Sequence, residues 1–393
     1  MTSRTFRSAA PPLCLAALLV ALAAPAAAQT RYIAFGDSVT AADGFDDPSF
    51  PCPSHCGYPG RLEDLLQGAG EQATVVNAGL GGEKTPEGLT RLDQVLADQG
   101  GDVLLLMEGT NDISVGISVE TTIFDLKAMA DKATSQGLTT VHATVIPRIP
   151  DAKKGDGDNV ITRQLDWRIR DVAHNQSRKL ADNFEVFDAY PNHFQEIYHP
   201  GGDAVGHPNA AGFDLMAHTF FDVLQGTDSV PPVPADLSPS DGADKVSPTT
   251  QIRIRLYDFG AGIDLARTDL LVDGHPVPAS LEGDPSAVDL RYRPSEPLSG
   301  LVDVGYQAYD QASPPNFREV TLGTFLVHGA QILTGDVNGD GRVDGTDLVL
   351  LAIHFGAVDG EGRYARFTDL NKDHKIDGSD LAILASHFGE SAG

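Results

Sequence analysis

Short apolar runs alternate with longer amphipathic segments over residues 31–225. The runs "RYIAF", "ATVVNAG", "DVLLLMEG", "TTVHATVI" and "FEVFDA" are mostly β-branched and predict five buried strands. The segments between them, such as "TPEGLTRLDQVLADQG" and "ITRQLDWRIRDVAHNQSRKLADN", place apolar residues at helical spacing. Strands that alternate with helices predict an α/β domain with a parallel sheet, in which ligands bind at the carboxyl ends of the strands.

The pattern changes after this region. The stretch "TDSVPPVPADLSPSDGADKVSP" is rich in Pro, Ser and Asp and predicts a linker. From 232 to 329, "TQIRIRLYD", "LLVDG", "VDLRYRP" and "LVDVGYQAYD" predict short strands separated by turns, with no helix of useful length. These strands indicate an all-β sandwich. The stretch "YDFGAGIDLARTDLLVDGHPV" resembles bacterial immunoglobulin-like modules that lie between catalytic and docking domains, which implies a spacer or a weak binder.

The N-terminus has the features of a secretory signal peptide. Arg4 and Arg7 precede the apolar run "LCLAALLVALAA", and an Ala-x-Ala exit ends at Ala28. We expect residues 1–28 to be removed, with an uncleaved anchor as the alternative. No later run reaches the roughly 18 apolar residues that a transmembrane helix needs. The sequence therefore predicts a secreted, extracellular protein without a transmembrane segment.

Cleavage would remove Cys14 and leave Cys52 and Cys56 as the remaining cysteines. An oxidising compartment favours a disulfide between them, which would shape a small loop more than stabilise the fold. A metal site here would need more ligands than the neighbouring His55.

The net charge bears on which classes of partner the protein can bind. The chain has 28 Lys and Arg against 55 Asp and Glu, a formal charge of −27. Such a charge argues against nucleic acid and anionic membrane surfaces.

Part of this acidity belongs to an internal repeat. The segment "GDVNGDGRVDGTDLVLLAIHFG" is echoed by "TDLNKDHKIDGSDLAILASHFG", and both fit a twelve-residue calcium loop with oxygen ligands at alternating positions. The predicted ligands are Asp336, Asn338, Asp340, the Arg342 carbonyl, Asp344 and Asp347 in the first copy, and Asp369, Asn371, Asp373, the Lys375 carbonyl, Asp377 and Asp380 in the second. Asp344 would bind directly or through water. The repeat predicts two calcium ions.

Position six of the loop demands a sharp turn, which suits Gly341 in the first copy. His374 takes this place in the second copy and weakens that site, because a residue other than glycine pays for the left-handed turn. Paired loops with Asp at position twelve and one helix after each loop resemble the dockerin module. The resemblance implies a calcium-dependent fold over residues 331–393 and a cohesin partner. Its recognition positions hold Gly345-Thr346 and Gly378-Ser379, and glycine departs from the usual pair.

Candidate chemistry lies at the strand ends of the first region. Ser38, in "YIAFGDSVTAADG", follows the first strand, and the motifs "VVNAGLGGEKT" and "LLLMEGTNDI" follow the second and third. Acyl transfer needs hydrogen-bond donors where charge develops on the carbonyl oxygen, and a glycine N–H and an Asn amide can supply them. The sequence around Ser38 is not the Gly-x-Ser-x-Gly elbow of the α/β-hydrolases.

With "HPNAAGF", these blocks resemble the SGNH, or GDSL, serine esterases and lipases. The resemblance implies a flavodoxin-like three-layer sandwich over residues 29–226, followed by the linker and immunoglobulin-like sandwich over 227–330. It implies Ser38 as nucleophile, and the N–H groups of Ser38 and Gly82 with the Asn111 amide as oxyanion donors. Gly79 or Gly81 are the alternatives to Gly82. It implies no cofactor for catalysis.

Two histidines compete for the role of base. His207 precedes Asn209, a suitable N-cap for a final amphipathic helix, whereas His199 lacks such a helix. The resemblance therefore implies His207, oriented by Asp203. The spacing between this pair is one residue longer than the family's usual one. Gly206 would let the loop bulge, or a backbone carbonyl would orient the imidazole instead.

These features predict a secreted serine esterase, docked through its dockerin, with the cell surface as one location. Small esters, lipids and acetylated glycans all suit the residues as substrates. The alternative is a non-catalytic, calcium-dependent adhesion or scaffold component whose α/β domain binds carbohydrate.

Overall fold

The structure is a computed structural model that describes residues 29–42, 57–149, 159–199, 206–327, 333–358 and 364–391. The predicted signal peptide, the pair Cys52 and Cys56, and Asp203 lie outside the described residues. No described helix is long and apolar enough to cross a bilayer.

The first region contains one parallel sheet. Its strands are β1 (Thr30–Gly36), β2 (Ala73–Gly79), β3 (Val103–Met107), β4 (Thr139–Ala143) and β5 (Lys179–Ala181). The strand order is β2-β1-β3-β4-β5, and every neighbouring pair is parallel. This is the flavodoxin-like doubly wound order, in which ligands bind outside the carboxyl ends of the strands.

Helices cover both faces of this sheet. They are α1 (Ser38–Ala41), α2 (Gly57–Gly68), α3 (Thr85–Gln99), α4 (Thr110–Val115), α5 (Val119–Ser135), α6 (Val160–Asn175), α7 (Asn183–Asp188), α8 (His193–Glu196) and α9 (Ala210–Gln225). Tyr32 and Ala34 of β1 pack in the core that α2 and α9 share, whereas Ile33 and Phe35 pack in the core of α3, α5 and α6. Because side chains alternate along a strand, β1 contributes to both cores of a three-layer domain.

One predicted strand is wrong. The run "FEVFDA" forms α7 (Asn183–Asp188), and the fifth strand is instead Lys179–Ala181, inside the segment predicted as a long helix. Ser177, at φ +51°, ends that helix early. The Asp182 carboxylate accepts the Glu185 N–H at 3.2 Å and caps α7. An apolar run of this length fits a short helix as well as a strand, and the cap decides for the helix.

The second region forms two antiparallel sheets of four strands. The strands are β6 (Val233–Ser238), β7 (Ile252–Tyr257), β8 (Ile263–Val272), β9 (His275–Val277), β10 (Ser280–Asp284), β11 (Ala287–Tyr292), β12 (Gly300–Asp310) and β13 (Phe317–Val327). The sheets have the orders β10-β11-β7-β6 and β13-β12-β8-β9 and share one core. Residues 232–327, all described, contain no helix, as predicted. The immunoglobulin-like character of this sandwich stays a prediction.

The predicted linker is wrong in its middle, because it contains β6. Val233, Ala235 and Leu237 are buried, whereas the register against β7 shifts between Pro234 and Asp236. Prolines within and beside this strand make it hard to recognise in the sequence. An edge strand such as β6 tolerates proline at an irregularity in its pairing.

The sandwich packs directly on the α/β region. Arg170 of α6 donates to the Pro234 carbonyl at 2.6 Å, and the Tyr257 hydroxyl donates to Asp171 at 2.7 Å. Trp167 of α6 packs against the sandwich core. The contacts between the two regions are therefore buried and hydrogen-bonded.

The last region contains α10 (Gly345–His354), a 3-10 turn (Arg366–Thr368) and α11 (Gly378–His387). Each helix begins after an Asp N-cap, Asp344 or Asp377, and an Asp at the third helical position completes a capping box. A small core of Val337, Val343, Leu351, Ile376 and Leu384 joins the two copies of the repeat.

Candidate active site

Ser38 lies where β1 ends and α1 begins. The Asp37 carboxylate accepts the Val39 N–H at 2.9 Å and caps α1. A Cβ on Gly36 would stand 2.2 Å from the Met107 carbonyl oxygen, so only glycine permits this close passage of the chain. The turn places Ser38 at the carboxyl edge of the sheet, as predicted.

His207 is the histidine that the structure brings to Ser38. Its Nε2 lies 2.8 Å from the Ser38 Oγ, and the side chain is buried. Asn209 caps α9 by accepting the N–H groups of Ala211 and Gly212 at 2.9 and 3.1 Å. The helix that the sequence predicts after His207 therefore begins at the expected residue and holds the imidazole over the sheet edge.

His199 has a different place in this loop. Its backbone N–H donates to the backbone carbonyl of His207 at 2.8 Å. The Asn209 amide donates to the carbonyls of Glu196 and Tyr198 at 2.9 and 3.1 Å. The segment 196–199 thus braces the His207 loop through backbone atoms.

Gly206, directly before His207, has φ +84°, and a Cβ there would stand 2.7 Å from the Ile149 Cγ1. Gly206 thus has a left-handed backbone that favours glycine. The predicted bulge between Asp203 and His207 stays a prediction. Asp203 itself lies outside the described residues.

The glycines at the end of β2 and after it differ in their surroundings. A Cβ on Gly79 would stand 2.2 Å from the Ala41 nitrogen, which gives Gly79 a packing role. A Cβ on Gly81 would lie 3.9 Å from the Ser38 Cβ, so the loop passes beside the serine. Gly82 has φ +80°, and a Cβ there would have no heavy atom within 4 Å apart from its chain neighbours.

Two hydrogen-bonded links join this loop to the motif after β3. The Asn111 amide donates to the Glu83 carbonyl at 2.9 Å. The Asp112 carboxylate accepts the Thr85 N–H at 3.0 Å and is buried. Sequence reasoning missed Thr85 and Asp112, although each stands within one of the quoted motifs. These links set the spacing between Gly82 and Asn111.

Charged side chains also contact the loop that follows β2. The buried Glu83 carboxylate accepts the Arg91 Nε–H at 2.6 Å, and the Arg91 guanidinium lies 4.2 Å from the Phe35 ring centre. Burial, and then the neighbouring Glu83, raise the pKa of Glu108 well above its usual value. Arg91 therefore pairs with Glu83 in the loop after β2, and Glu108 lies beside this pair.

The carboxylate next to the predicted nucleophile is also perturbed. Burial raises the pKa of Asp37 from 3.8 to about 6, although its hydrogen bond to Val39 N–H opposes this rise. Sequence reasoning assigned no role to Asp37.

The two predicted calcium loops share one hydrogen-bond pattern. The twelfth-position carboxylates of Asp347 and Asp380 accept the N–H groups of Val337 and Leu370 at 2.7 and 2.8 Å. Burial first, and then neighbouring carboxylates, raise the pKa of Asp336. An all-oxygen donor set with crowded negative charge fits a hard divalent cation.

The loops differ in backbone strain. The first copy places Gly339 and Gly341 at φ +72° and +85°, where the second has Lys372 and His374 at φ +62° and +68°. The left-handed turn predicted at His374 is therefore confirmed.

Comparisons with known proteins place two families along the chain. The profile of the GDSL-like Lipase/Acylhydrolase family matches residues 34–215, and that of the dockerin type I domain matches residues 334–389. An arylesterase of Vibrio mimicus is 26% identical over 174 residues, which are 44% of this chain and 70% of that protein. Esterase TesA of Pseudomonas aeruginosa is 35% identical over 124 residues, 32% of this chain and 57% of that protein.

A solved lipase/acylhydrolase from Enterococcus faecalis is 22% identical with a TM-score of 0.43, covering 50% of this chain and 96% of that one. On the family profile and the curated relatives, the chain is a carboxylic ester hydrolase. It contains a GDSL-like lipase/acylhydrolase domain at residues 34–215 and a dockerin type I domain at residues 334–389. The dockerin domain implies calcium binding and a cohesin partner.

Proposed function

We propose that the protein hydrolyses carboxylic esters through an acyl-enzyme on Ser38, with His207 as general base. The observation that carries this proposal is the 2.8 Å separation between the Ser38 Oγ and the His207 Nε2. At this distance the imidazole takes the hydroxyl proton while Oγ attacks the ester carbonyl. His207 then returns the proton to the leaving alcohol, and water hydrolyses the acyl-enzyme by the reverse sequence.

The oxyanion of each tetrahedral intermediate would bind to the N–H groups of Ser38 and Gly82 and to the Asn111 amide. The left-handed Gly82 and the passage of the loop beside Ser38 support this role. Because the Asn111 nitrogen has two hydrogens, one can hold the Glu83 carbonyl while the other faces the oxyanion. Preorganised donors of this kind stabilise the transition state without reorganisation.

We further propose that Asp203 orients the His207 imidazole, with a backbone carbonyl as the alternative. The left-handed Gly206 supports a bulged loop that would absorb the additional residue between Asp203 and His207.

The dockerin domain favours acetylated glycans over lipids as substrates, since it would hold the esterase in an assembly that degrades polysaccharide. We propose secretion through the signal peptide at residues 1–28 and a disulfide between Cys52 and Cys56. The cohesin would bind at Gly345-Thr346 and Gly378-Ser379 and at the exposed apolar side chains of α10. Val349 and Ile353, spaced by one helical turn, are 58% and 57% exposed and support that surface.

Release of p-nitrophenol from its acetate tests the catalytic assignment. We expect Ser38→Ala and His207→Ala to lose about a thousandfold or more in kcat/KM. The kcat/KM of His199→Ala should stay within a few fold of wild type, because alanine keeps the backbone N–H that donates to the His207 carbonyl. Circular dichroism of each variant controls for folding.

If His199→Ala alone abolishes turnover, the base has been misassigned. If wild type and Ser38→Ala are equally inert on acetyl to palmitoyl esters and on acetylated xylan, the non-catalytic adhesion component replaces the esterase.

A further inference from the structure

Three aspartates from distant parts of the chain converge at the junction between the α/β region and the sandwich. Asp228 follows α9, Asp258 follows β7, and Asp310 ends β12. One carboxylate oxygen of each lies within 4.8 Å of the other two. Since β7 and β12 belong to different sheets, these junction aspartates connect the segment after α9 to both sheets.

The junction aspartates are withdrawn from water. Asp258 and Asp310 are buried, and Asp228 is half-buried. A Cβ on Gly260 would stand 2.3 Å from the Asp228 Cγ, so the carboxylate of Asp228 enters the cluster over a glycine. A larger residue at position 260 would therefore clash with the Asp228 carboxylate, which reaches the cluster because Gly260 has no side chain.

One oxygen in this cluster has no partner. The Asp258 Oδ1 accepts the N–H groups of Gly260 and Gly262 at 2.9 and 2.7 Å. The Asp258 Oδ2 is fully buried, and no donor reaches it. Asp258 thus has a buried carboxylate oxygen without a donor, in a residue whose carboxylate lies beside two others. Such an oxygen needs a cation or a proton, because its desolvation is otherwise uncompensated.

The Asn316 amide donates to the Asp310 carboxylate at 2.6 Å, but it is neutral and does not compensate the charge of the cluster. None of the ion pairs among the described residues includes a junction aspartate. Burial, and then the neighbouring carboxylates, raise the pKa of Asp258 to about 6. Burial and the crowding of the carboxylates thus oppose the ionised form of Asp258.

We propose that Asp228, Asp258 and Asp310 bind a calcium ion that fastens the α/β region to the sandwich. The donor set consists of carboxylate oxygens, which suits a hard cation, and calcium accepts irregular oxygen geometry that magnesium resists. The ion would bridge the segment after α9 to strand ends of both sheets, and so set the orientation of the esterase on its spacer. This site is separate from the dockerin loops and from the Ser38 site.

The dockerin loops would obscure an additional ion, so the test uses the full chain with both loops disabled by Asp336→Asn and Asp369→Asn. Isothermal titration of the metal-stripped chain with calcium chloride should show one remaining site per chain. Asp258→Asn in that background should weaken it by at least about tenfold, because calcium affinity follows the number of charged ligands. Asp264→Asn, a change of an aspartate paired with Arg267 at the surface, is the matched control and should leave the site intact.

Folding is followed by the fluorescence of Trp167, the chain's one tryptophan, which packs against the sandwich core. Asparagine keeps the acceptor for Gly260 and Gly262, so Asp258→Asn should fold. Calcium should raise the unfolding temperature of the background chain but not that of the Asp258→Asn chain. If Asp258→Asn fails to fold, Asp228→Asn serves in its place.

Absence of calcium binding in the background chain at millimolar calcium would overturn the proposal. So would unchanged affinity in a folded Asp258→Asn chain. A background chain that calcium does not stabilise, but that loses stability as the pH rises through about 6, would show that a proton holds the cluster instead.

Discussion

The Asp37 carboxylate offers a quantitative test of the electrostatics beside Ser38. Its side chain is 1% exposed and caps α1. A rise in its pKa from 3.8 to about 6 corresponds to about 3 kcal/mol against the ionised form. The variant Asp37→Asn removes the charge and keeps an oxygen that accepts the Val39 N–H, and asparagine is as good an N-cap as aspartate.

Proton linkage gives the direction in which the Asp37 carboxylate changes stability with pH. The folded state binds the Asp37 proton more tightly than the unfolded state, because the folded pKa is the higher one. Stability from this group is therefore present below pH 4 and is lost as the pH rises through about 6. The free energy of unfolding of Asp37→Asn, relative to wild type, should rise by up to about 3 kcal/mol between pH 4 and pH 7 and then stay level.

Urea unfolding followed by Trp167 fluorescence measures this difference across the pH range. Asp98→Asn, an exposed change on α3, should give a difference near zero at every pH. A difference between Asp37→Asn and wild type that does not vary with pH would refute the reasoning. An Asp37→Asn chain less stable than wild type at pH 7 would refute it as well.

Two further predictions concern the dockerin domain. His374→Gly should stabilise the second loop by about 1 kcal/mol, because an L-residue at φ +68° carries left-handed strain that glycine avoids. Calcium titration followed by circular dichroism measures this stabilisation. The converse variant, Gly341→His, should weaken the first loop. EDTA should unfold the dockerin domain while hydrolysis of p-nitrophenyl acetate continues, because Ser38 and His207 lie in a separate domain with its own core. A collapse of activity together with the loss of dockerin helicity would show that the domains are coupled.

The positions of the candidate catalytic motifs in the fold were predictable because each motif is local. A strand predicted by its apolar run, followed directly by Gly-Asp-Ser or Gly-Thr-Asn-Asp, places polar groups at one edge of a parallel sheet. Asn209 marked the start of α9 and thereby distinguished His207 from His199. The predicted calcium loops are likewise a local pattern, since the spacing of their ligands lies within twelve residues.

The fifth strand shows where local patterns fail. "FEVFDA" is apolar enough for a strand, yet Asp182 caps it as a helix and at the same time accepts the Arg170 Nε–H at 2.7 Å. Arg170 in turn donates to the sandwich through the Pro234 carbonyl. The choice between strand and helix is thus coupled to a contact with another region of the chain.

The sequence by itself determined which side chains could carry acyl transfer and calcium binding, and that these belong to different regions. Only the tertiary structure decided how the Gly82 and Asn111 loops are joined, through Thr85 and Asp112, 27 residues apart. It alone assembled Asp228, Asp258 and Asp310 from the segment after α9 and from two sheets. The physical reason is that hydrogen bonds and buried charges depend on distance in space, and periodicity along the chain carries no information about partners so far apart.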